Sequence, residues 1–224
     1  MNNIVLDIET LPTDLPWYSD KLKDKLAPPG SMKKAETIEK WWEEKAPAVL
    51  QDRMQRTAMD TSLARIVSIA VKVDDNPTVC FCQRLYHLEH DHDVLESFWN
   101  YIDKETNRAD IVWITYNGNR FDIPLLVHRS LICRVPPTRF MTSWPRNGER
   151  YCDIMESWCG LYGDKISLAN LCKLFGIEGP QTKGSDVFEW WLAQDVQKIA
   201  DHNIEDVESL YELNKTIQEA MYRD

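Results

Sequence analysis

The sequence predicts an α/β fold in which a mixed central sheet is flanked by helices. Three observations carry this expectation: two early stretches alternate with a period of two residues, a later apolar run is continuous, and the C-terminal third follows helical periodicity. At 224 residues the chain can bury a core without disulfide or metal staples.

In chain order, residues 3–9 (NIVLDIE) place Ile4, Leu6 and Ile8 on one face of a strand and Val5, Asp7 and Glu9 on the other. The alternation then breaks at PTDLP and LAPPGS, and two helical stretches follow at about 34–45 and 47–59. The segment from about 11 to 62 therefore reads as a mostly helical insertion after the first strand, in a single domain spanning 1–224. From Ala64 to Val73 the alternation returns, with Val67, Ile69, Val71 and Val73 on one face, and DDNP turns the chain into TVCFCQRL as a hairpin. A helix over 93–103 precedes DIVWITY, a continuous apolar strand of the buried, parallel kind. A helix is expected over 121–132, then the arginine-rich loop RVPPTRFMTSWPRNGER, then helices at about 166–175, 185–193 and 196–220.

Apolar residues at 43% and charged residues at 28% exclude a disordered chain. No apolar run approaches the ~20 residues of a spanning helix, and MNNIVLDIET lacks the basic and apolar regions of a signal peptide, so no membrane partner and a cytoplasmic location are expected. The six cysteines form no CxxC pair and are expected to remain thiols. A net charge of -10 argues against coating of nucleic acid through many phosphate contacts. Locally the balance reverses: six arginines between Tyr116 and Tyr151 face only Asp122 and Glu149, which makes this segment a candidate phosphate-facing surface.

Three acidic motifs stand out. Asp7 and Glu9 leave the same strand face roughly 7 Å apart along the chain; a solvated strand face and a shared divalent ion both fit this spacing. On the last helix, Ile199, His202, Asp206, Leu210, Leu213 and Ile217 fall within an arc of about 80°, opposite Asp201, Glu205, Glu208 and Glu212. An acid on the apolar stripe needs a cation, a donor or a metal, so Asp206 is salt-bridged or ligating, and His202 is a core histidine or its partner. Asp122, in TYNGNRFDIPLL, follows a strand end near a helix start, where it either favours the helix dipole or joins a site at the strand's carboxyl end.

The ordered set DIE, NGNRFD and HNIED resembles the DEDD (DnaQ-like) superfamily of 3′-to-5′ exonucleases, which have an RNase H-like fold. It is most similar to the predicted bacterial and phage exonucleases related to the proofreading domain of family B DNA polymerases. Asp7 and Glu9 match the first motif, Asp122 the second and Asp206 the third, and KIADHNIEDVESLYEL resembles the family helix that carries Tyr-x3-Asp. One departure is present. The family places a tyrosine four residues before the last aspartate or a histidine five before it, whereas here His202 lies four before Asp206. An imidazole titrating near about 6.5 can accept a proton at neutral pH, which a phenol near about 10 does not.

The resemblance implies a metal-dependent 3′-5′ exonuclease that hydrolyses phosphodiester bonds at single-stranded 3′ ends, DNA favoured, and releases 5′-mononucleotides. Its cofactors are two Mg²⁺ or Mn²⁺ ions, expected about 4 Å apart, held by Asp7, Glu9, Asp122 and Asp206. His202 is expected to orient or deprotonate the attacking water. Ile8, Leu11, Asn117 and Arg120 are the expected substrate contacts, and the partner is nucleic acid with a single-stranded 3′ end; protein partners in replication or recombination are left unspecified. The alternative is a catalytically weak or inactive module that binds nucleic acid through the same fold. Metal chemistry on His87, His90 and His92 is disfavoured, because YHLEHDHD does not complete a metallo-hydrolase pattern. Cys80 and Cys82 share a strand face and are assigned to packing, as are Trp41, Trp42, Trp190 and Trp191.

Overall fold

The computed structural model describes residues 2–83, 91–106, 110–137, 141, 144–160 and 163–221. Its strands are β1 (Asn2–Leu11), β2 (Arg65–Val73), β3 (Val79–Cys82), β4 (Ile111–Thr115) and β5 (Tyr151–Asp153). They form one sheet in the order β3-β2-β1-β4-β5. β1 is central, antiparallel to β2 and parallel to β4, which in turn runs parallel to β5. The mixed α/β architecture expected from the sequence is present, and the DDNP turn does join β2 to β3 as an antiparallel pair. The end of that expected second strand, Arg84 and Leu85, lies outside the described residues, as do His87, His90 and Arg139.

Three helices, α1 (Pro16–Asp24), α2 (Ala35–Glu44) and α3 (Ala46–Gln55), and a 3₁₀ turn over Arg56–Met59 connect β1 to β2. Proline occupies the first turn of α1 and of α3, where its missing N–H leaves no helical bond unmade. β1 runs on to Leu11 and β2 begins at Arg65, so the connection spans 12–64, where the sequence places it at about 11 to 62. The remaining helices are α4 (Asp91–Thr106), α5 (Asp122–Cys133), α6 (Ile154–Cys159), α7 (Leu168–Leu174), α8 (Val187–Leu192) and α9 (Val196–Met221). No helix among the described residues is long and apolar enough to cross a membrane.

The pleat of β1 decides where each face packs. Ile4, Leu6 and Ile8 point with Ile69, Val71 and Val73 toward Phe98, Trp99 and Ile102 of α4 and Ile123, Leu125 and Leu126 of α5. Val5 points the other way and packs with Ala70 and Ile114 against Val207, Leu210 and Leu213 of α9. Each fully buried aliphatic side chain of this kind contributes about 2 kcal/mol. By the same alternation Asp7 and Glu9 face α9. A β-bulge between Glu9 and Thr10 inserts Val67 as an extra residue in β2. Val67 therefore leaves the face of Ile69, Val71 and Val73, contrary to the simple alternation, and packs with Leu11, Val187, Trp190 and Ile199. Cys80 and Cys82 pack toward α9 as expected, and all six cysteines are free. Trp41 and Trp190 are buried, but Trp42 is 44% exposed and anchors no core.

α9 is fixed to the sheet by a polar contact as well. The fully buried Asn203 donates its side-chain amide to Ser68 Oγ at 2.7 Å and to the Ser68 carbonyl at 3.3 Å. Loss of a buried pair of this kind leaves an unsatisfied group on the sheet. Asn203→Ala should lower stability by about 2 kcal/mol, read as a reduced midpoint at unchanged slope in urea unfolding.

Candidate active site

The site begins where two strands part. β1 pairs with β4 only from Asn2 to Val5, the last register pair being Val5 with Ile114, yet β1 continues to Leu11. Beyond that point its β4-facing edge is open, and the N–H of Ile8 donates instead to Asp122 Oδ1 at 3.2 Å. Asp122 opens α5 and is 5% exposed. The first and second acidic motifs are therefore joined by a direct hydrogen bond.

The turn that delivers Asp122 is held from below. Asn117 adopts a left-handed conformation with φ 63°, and a Cβ on Gly118 would collide with the Thr115 side chain, so glycine alone fits there. The carboxylate of Asp153, at the end of β5, accepts the N–H groups of Asn117 at 2.9 Å and Asn119 at 3.0 Å. It also caps α6 by accepting the Glu156 N–H at 3.0 Å. Asp153 was missed by sequence reasoning, as were β5 and α6, because a strand of three residues shows no period. Its one legible signal was Asp-Ile-Met-Glu at 153–156, a capping-box spacing.

The third motif arrives from α9. His202 is 4% exposed and stacks edge-on against Trp190, with ring centroids 5.5 Å apart. Its Nε2 lies 3.0 Å from Glu9 Oε1 and 3.8 Å from Asp206 Oδ2. Its Nδ1 lies 2.7 Å from Thr182 Oγ1, and that hydroxyl reaches Glu205 Oε2 at 3.5 Å. The donor and acceptor roles across this contact follow the imidazole tautomer, and Nε2, though 3.0 Å from Glu9 Oε1, makes no well-formed hydrogen bond. Thr182 sits in a loop without periodicity and gave no signal in the sequence. Gly184, two residues on, passes over Glu9: a Cβ there would lie 3.6 Å from its carboxylate.

A cavity of about 570 Å³ opens above this arrangement. Asp7, Ile8 and Glu9 form its floor with Asn117, Phe121 and Asp122; Gln55 and Met59 of the β1–β2 connection form one wall, and Gly184 and Phe188 the other. His202 and Asp206 do not line it and meet it through Glu9. Leu11, expected to contact substrate, is fully buried, because its side chain turns with the α9 face of β1 into the apolar cluster of Trp190 and Ile199. Arg120 is exposed and lies outside this cavity, beside a neighbouring one.

Burial, and after it like charge, raises Asp7, Asp122 and Asp206. Burial, followed by the charges of Asp122, Asp206 and Glu9, holds the Asp7 carboxyl well above the usual carboxylate range. Burial raises Asp122 to about 8, with Glu9 and Asp153 adding to the rise against the N–H donated by Ile8. Asp206 is raised to about 7, burial and the Glu9 and Glu205 charges outweighing the opposing His202. Burial alone would lower His202, but Glu9, Asp206 and Glu205 overcome it and the net shift is upward. Glu9, His202 and Asp206 each offer a ligand atom, all within 4.8 Å of one another. Asp206 Oδ1 is buried and has no hydrogen-bond partner. Oxygen donors, an orphaned carboxylate oxygen and uncompensated negative charge fit a hard divalent cation.

Comparison with known proteins fits this geometry. The family model for a predicted 3′-5′ exonuclease related to the exonuclease domain of PolB matches residues 56–218. The chain belongs to that family. The match begins at residue 56, so β1 with Asp7 and Glu9 precedes it. Among solved structures, the family B DNA polymerase from the hyperthermophilic archaeon Pyrobaculum calidifontis matches with a TM-score of 0.60 at 18% identity, over 97% of this chain and 24% of that one. E. coli Exonuclease I in complex with a dT13 oligonucleotide matches with a TM-score of 0.49 at 12% identity, over 97% of this chain and 41% of that one. The exonuclease-domain member thus spans about a quarter of the polymerase's length and has its exonuclease, RNase H-like fold. No curated protein matches the chain.

The raised carboxylates set a pH dependence of stability. Between about pH 4 and pH 8 the folded protein retains protons on Asp206 and Asp122 that the unfolded chain has released, so their contribution is lost as pH rises through about 7 and about 8. His202, also raised, acts in the same direction. In chelator, urea unfolding should show stability falling from pH 5 to pH 8, by up to about 1.4 kcal/mol per pH unit for each such group. Asp206→Asn should make that slope shallower.

Proposed function

We propose that this protein is a 3′-5′ exonuclease that removes 5′-mononucleotides from single-stranded 3′ ends, DNA favoured, with divalent Mg²⁺ or Mn²⁺ held by Asp7, Glu9, Asp122 and Asp206. The observation that carries the reading is the convergence of acids from three elements: Asp7, Glu9 and Asp122 line one open cavity, Asp206 stands beside Glu9 and His202, and none of the four pairs with a lysine or arginine among the described residues. When bound, two such ions supply charge neutralisation at a phosphodiester and lower the pKa of an attacking water.

The chain's own residues take the remaining roles. Asp122 and Ile8, hydrogen-bonded to each other, fix the floor on which a terminal nucleotide rests. Asn117, in its left-handed turn, presents a side chain at the cavity rim, where its Oδ1 accepts from Lys165 Nζ at 3.4 Å. His202, held by Thr182, keeps Glu9 and Asp206 in one orientation and is competent to take a proton from water delivered to Glu9. Phe121 and Phe188, both half-buried, give the cavity an apolar side against which a base can pack.

One observation favours a second reading. A proton on His202, whose titration Glu9 and the neighbouring acids push upward, sets positive charge 3.0 Å from Glu9, as suits a module that binds nucleic acid and does not cut it. The test is incubation of 3′- and 5′-labelled DNA and RNA strands with Mg²⁺ or Mn²⁺ and with chelator. Stepwise shortening from the 3′ end, abolished by chelator and reduced at least 10³-fold in Asp7→Ala and Asp206→Ala, is the expected result. Binding without cleavage supports the second reading, and undiminished cleavage by folded Asp7→Ala overturns the first.

A further inference from the structure

A second cavity, of about 470 Å³, lies beside the first. The two are arranged in series between the same pair of chain segments. The first is lined by Gln55, Ala58 and Met59 on one side and by Asn117, Phe121 and Asp122 on the other; the second by Thr61 on one side and Asn119, Arg120 and Pro124 on the other. His128 Nδ1 contacts the Thr61 carbonyl at 3.1 Å and closes the base between these walls.

The far wall of the second cavity has a different chemistry from the first. It consists of Trp144, Pro145 and Arg146 from the arginine-rich loop. Pro145 is buried and pins the loop, while Trp144, at 85%, is the most exposed large apolar side chain among the described residues and Arg146 is exposed beside it. Arg146 forms no ion pair among the described residues, and the cavity's single acid, Glu156, is engaged by the Asn119 amide at 2.9 Å. Where the first cavity is acidic and suits a metal-bridged phosphate, the second is lined by an exposed indole, the Arg120 and Arg146 side chains and one carboxylate, Glu156. An indole flanked by arginines matches a stacked base with its phosphates. The sequence explains the placement: six arginines gather on the stretch that leaves β4 and returns at β5, and the sheet order puts both ends of that stretch beside the opening of β1.

We propose that this second cavity is a track for the single strand behind its 3′ end, in which Trp144 stacks on a base and Arg146, with Arg120, holds the adjoining phosphates; the proposal rests on the exonuclease reading for the position of the terminus. The occupant is a single-stranded polynucleotide, selected for the π-face of its bases and the charge of its backbone and not for base sequence. The first cavity then decides what is cut, and the second decides how much strand is needed for tight binding.

The experiment measures binding of fluorescent oligothymidylates of two and ten nucleotides in chelator, by anisotropy at several salt concentrations, with cleavage in Mn²⁺ followed in parallel. Trp144 is so exposed that its removal leaves the core intact, and unfolding midpoints check this. The wild-type protein should bind the ten-nucleotide strand more tightly than the two-nucleotide one. Trp144→Ala should weaken the longer strand about tenfold and erase most of that length dependence, with Trp144→Phe retaining it. Arg146→Ala should reduce the slope of log affinity against log salt by about 0.7. Equal affinity of wild type, Trp144→Ala and Arg146→Ala for the longer strand overturns the track, as does a wild-type protein that does not bind it. Length-dependent binding lost in Trp144→Ala without any cleavage by wild type supports the track and refutes the exonuclease reading instead.

Discussion

The organisation of this protein turns on like charge held at close quarters. Asp7, Glu9, Asp122 and Asp206 arrive from three elements distant in sequence, at a point where the sheet has opened and solvent is partly excluded. At an effective dielectric of ~20, two unit charges about 4 Å apart repel by about 4 kcal/mol. A fold that assembles such a cluster must either leave some of the acids protonated or supply positive charge. The raised Asp7, Asp122 and Asp206 follow the first course, and the contact of His202 with Glu9 the second. A divalent cation relieves both at once, which is why the donor set reads as a cation site even though an imidazole now touches it.

What makes the cluster possible is the central position of β1 and its two chemically different faces. The even-numbered residues Ile4, Leu6 and Ile8 are consumed by the core under α4 and α5, which fixes the register of the strand. Asp7 and Glu9 then have no choice of face, and α9 is packed on theirs. Because the parallel partner β4 stops at Thr115 while β1 goes on, the backbone beyond Val5 needs a new acceptor, and Asp122 provides it for Ile8. Backbone satisfaction and assembly of the site are therefore the same event. Asp153 supports it one layer further out by accepting both amides of the turn that carries Asp122 into place.

Much of this was legible in the sequence because it depends on period. The alternation over 3–9 gave the strand and the shared face of Asp7 and Glu9, and the 100° arithmetic put His202 and Asp206 on the apolar stripe of α9. Elements without a period escaped notice: β5 is too short, α1 is announced by little more than Pro16, and the Thr182 loop acts through a single hydroxyl. The burial of Leu11 has a related cause. Its nearness in sequence to Asp7 and Glu9 suggested the cavity, but parity places its side chain on the α9 face, and past the bulge that face is covered by Trp190 and Ile199. Val67 was assigned to the wrong face because a bulge adds a residue that alternation alone does not register.

His202 reaches Glu9 through a short side chain, so the contact depends on how closely α9 approaches the sheet. The sheet beneath it presents small side chains. The residues of β2 directly opposite Asp7 and Glu9 are Ala70 and Ser68, both fully buried and both small. Asn203, adjacent to His202 on α9, hydrogen-bonds Ser68 itself. A helix drawn down onto small side chains lies closer to the strand than one resting on branched residues, and closeness of approach is set by side-chain volume at the contact. In this position the short ring spans the gap to Glu9 at 3.0 Å, with Thr182 and Trp190 preventing its rotation away. The short ring at 202 and the small residues at 68 and 70 act together here, so that the packing of α9 on β2 sets the geometry of the site.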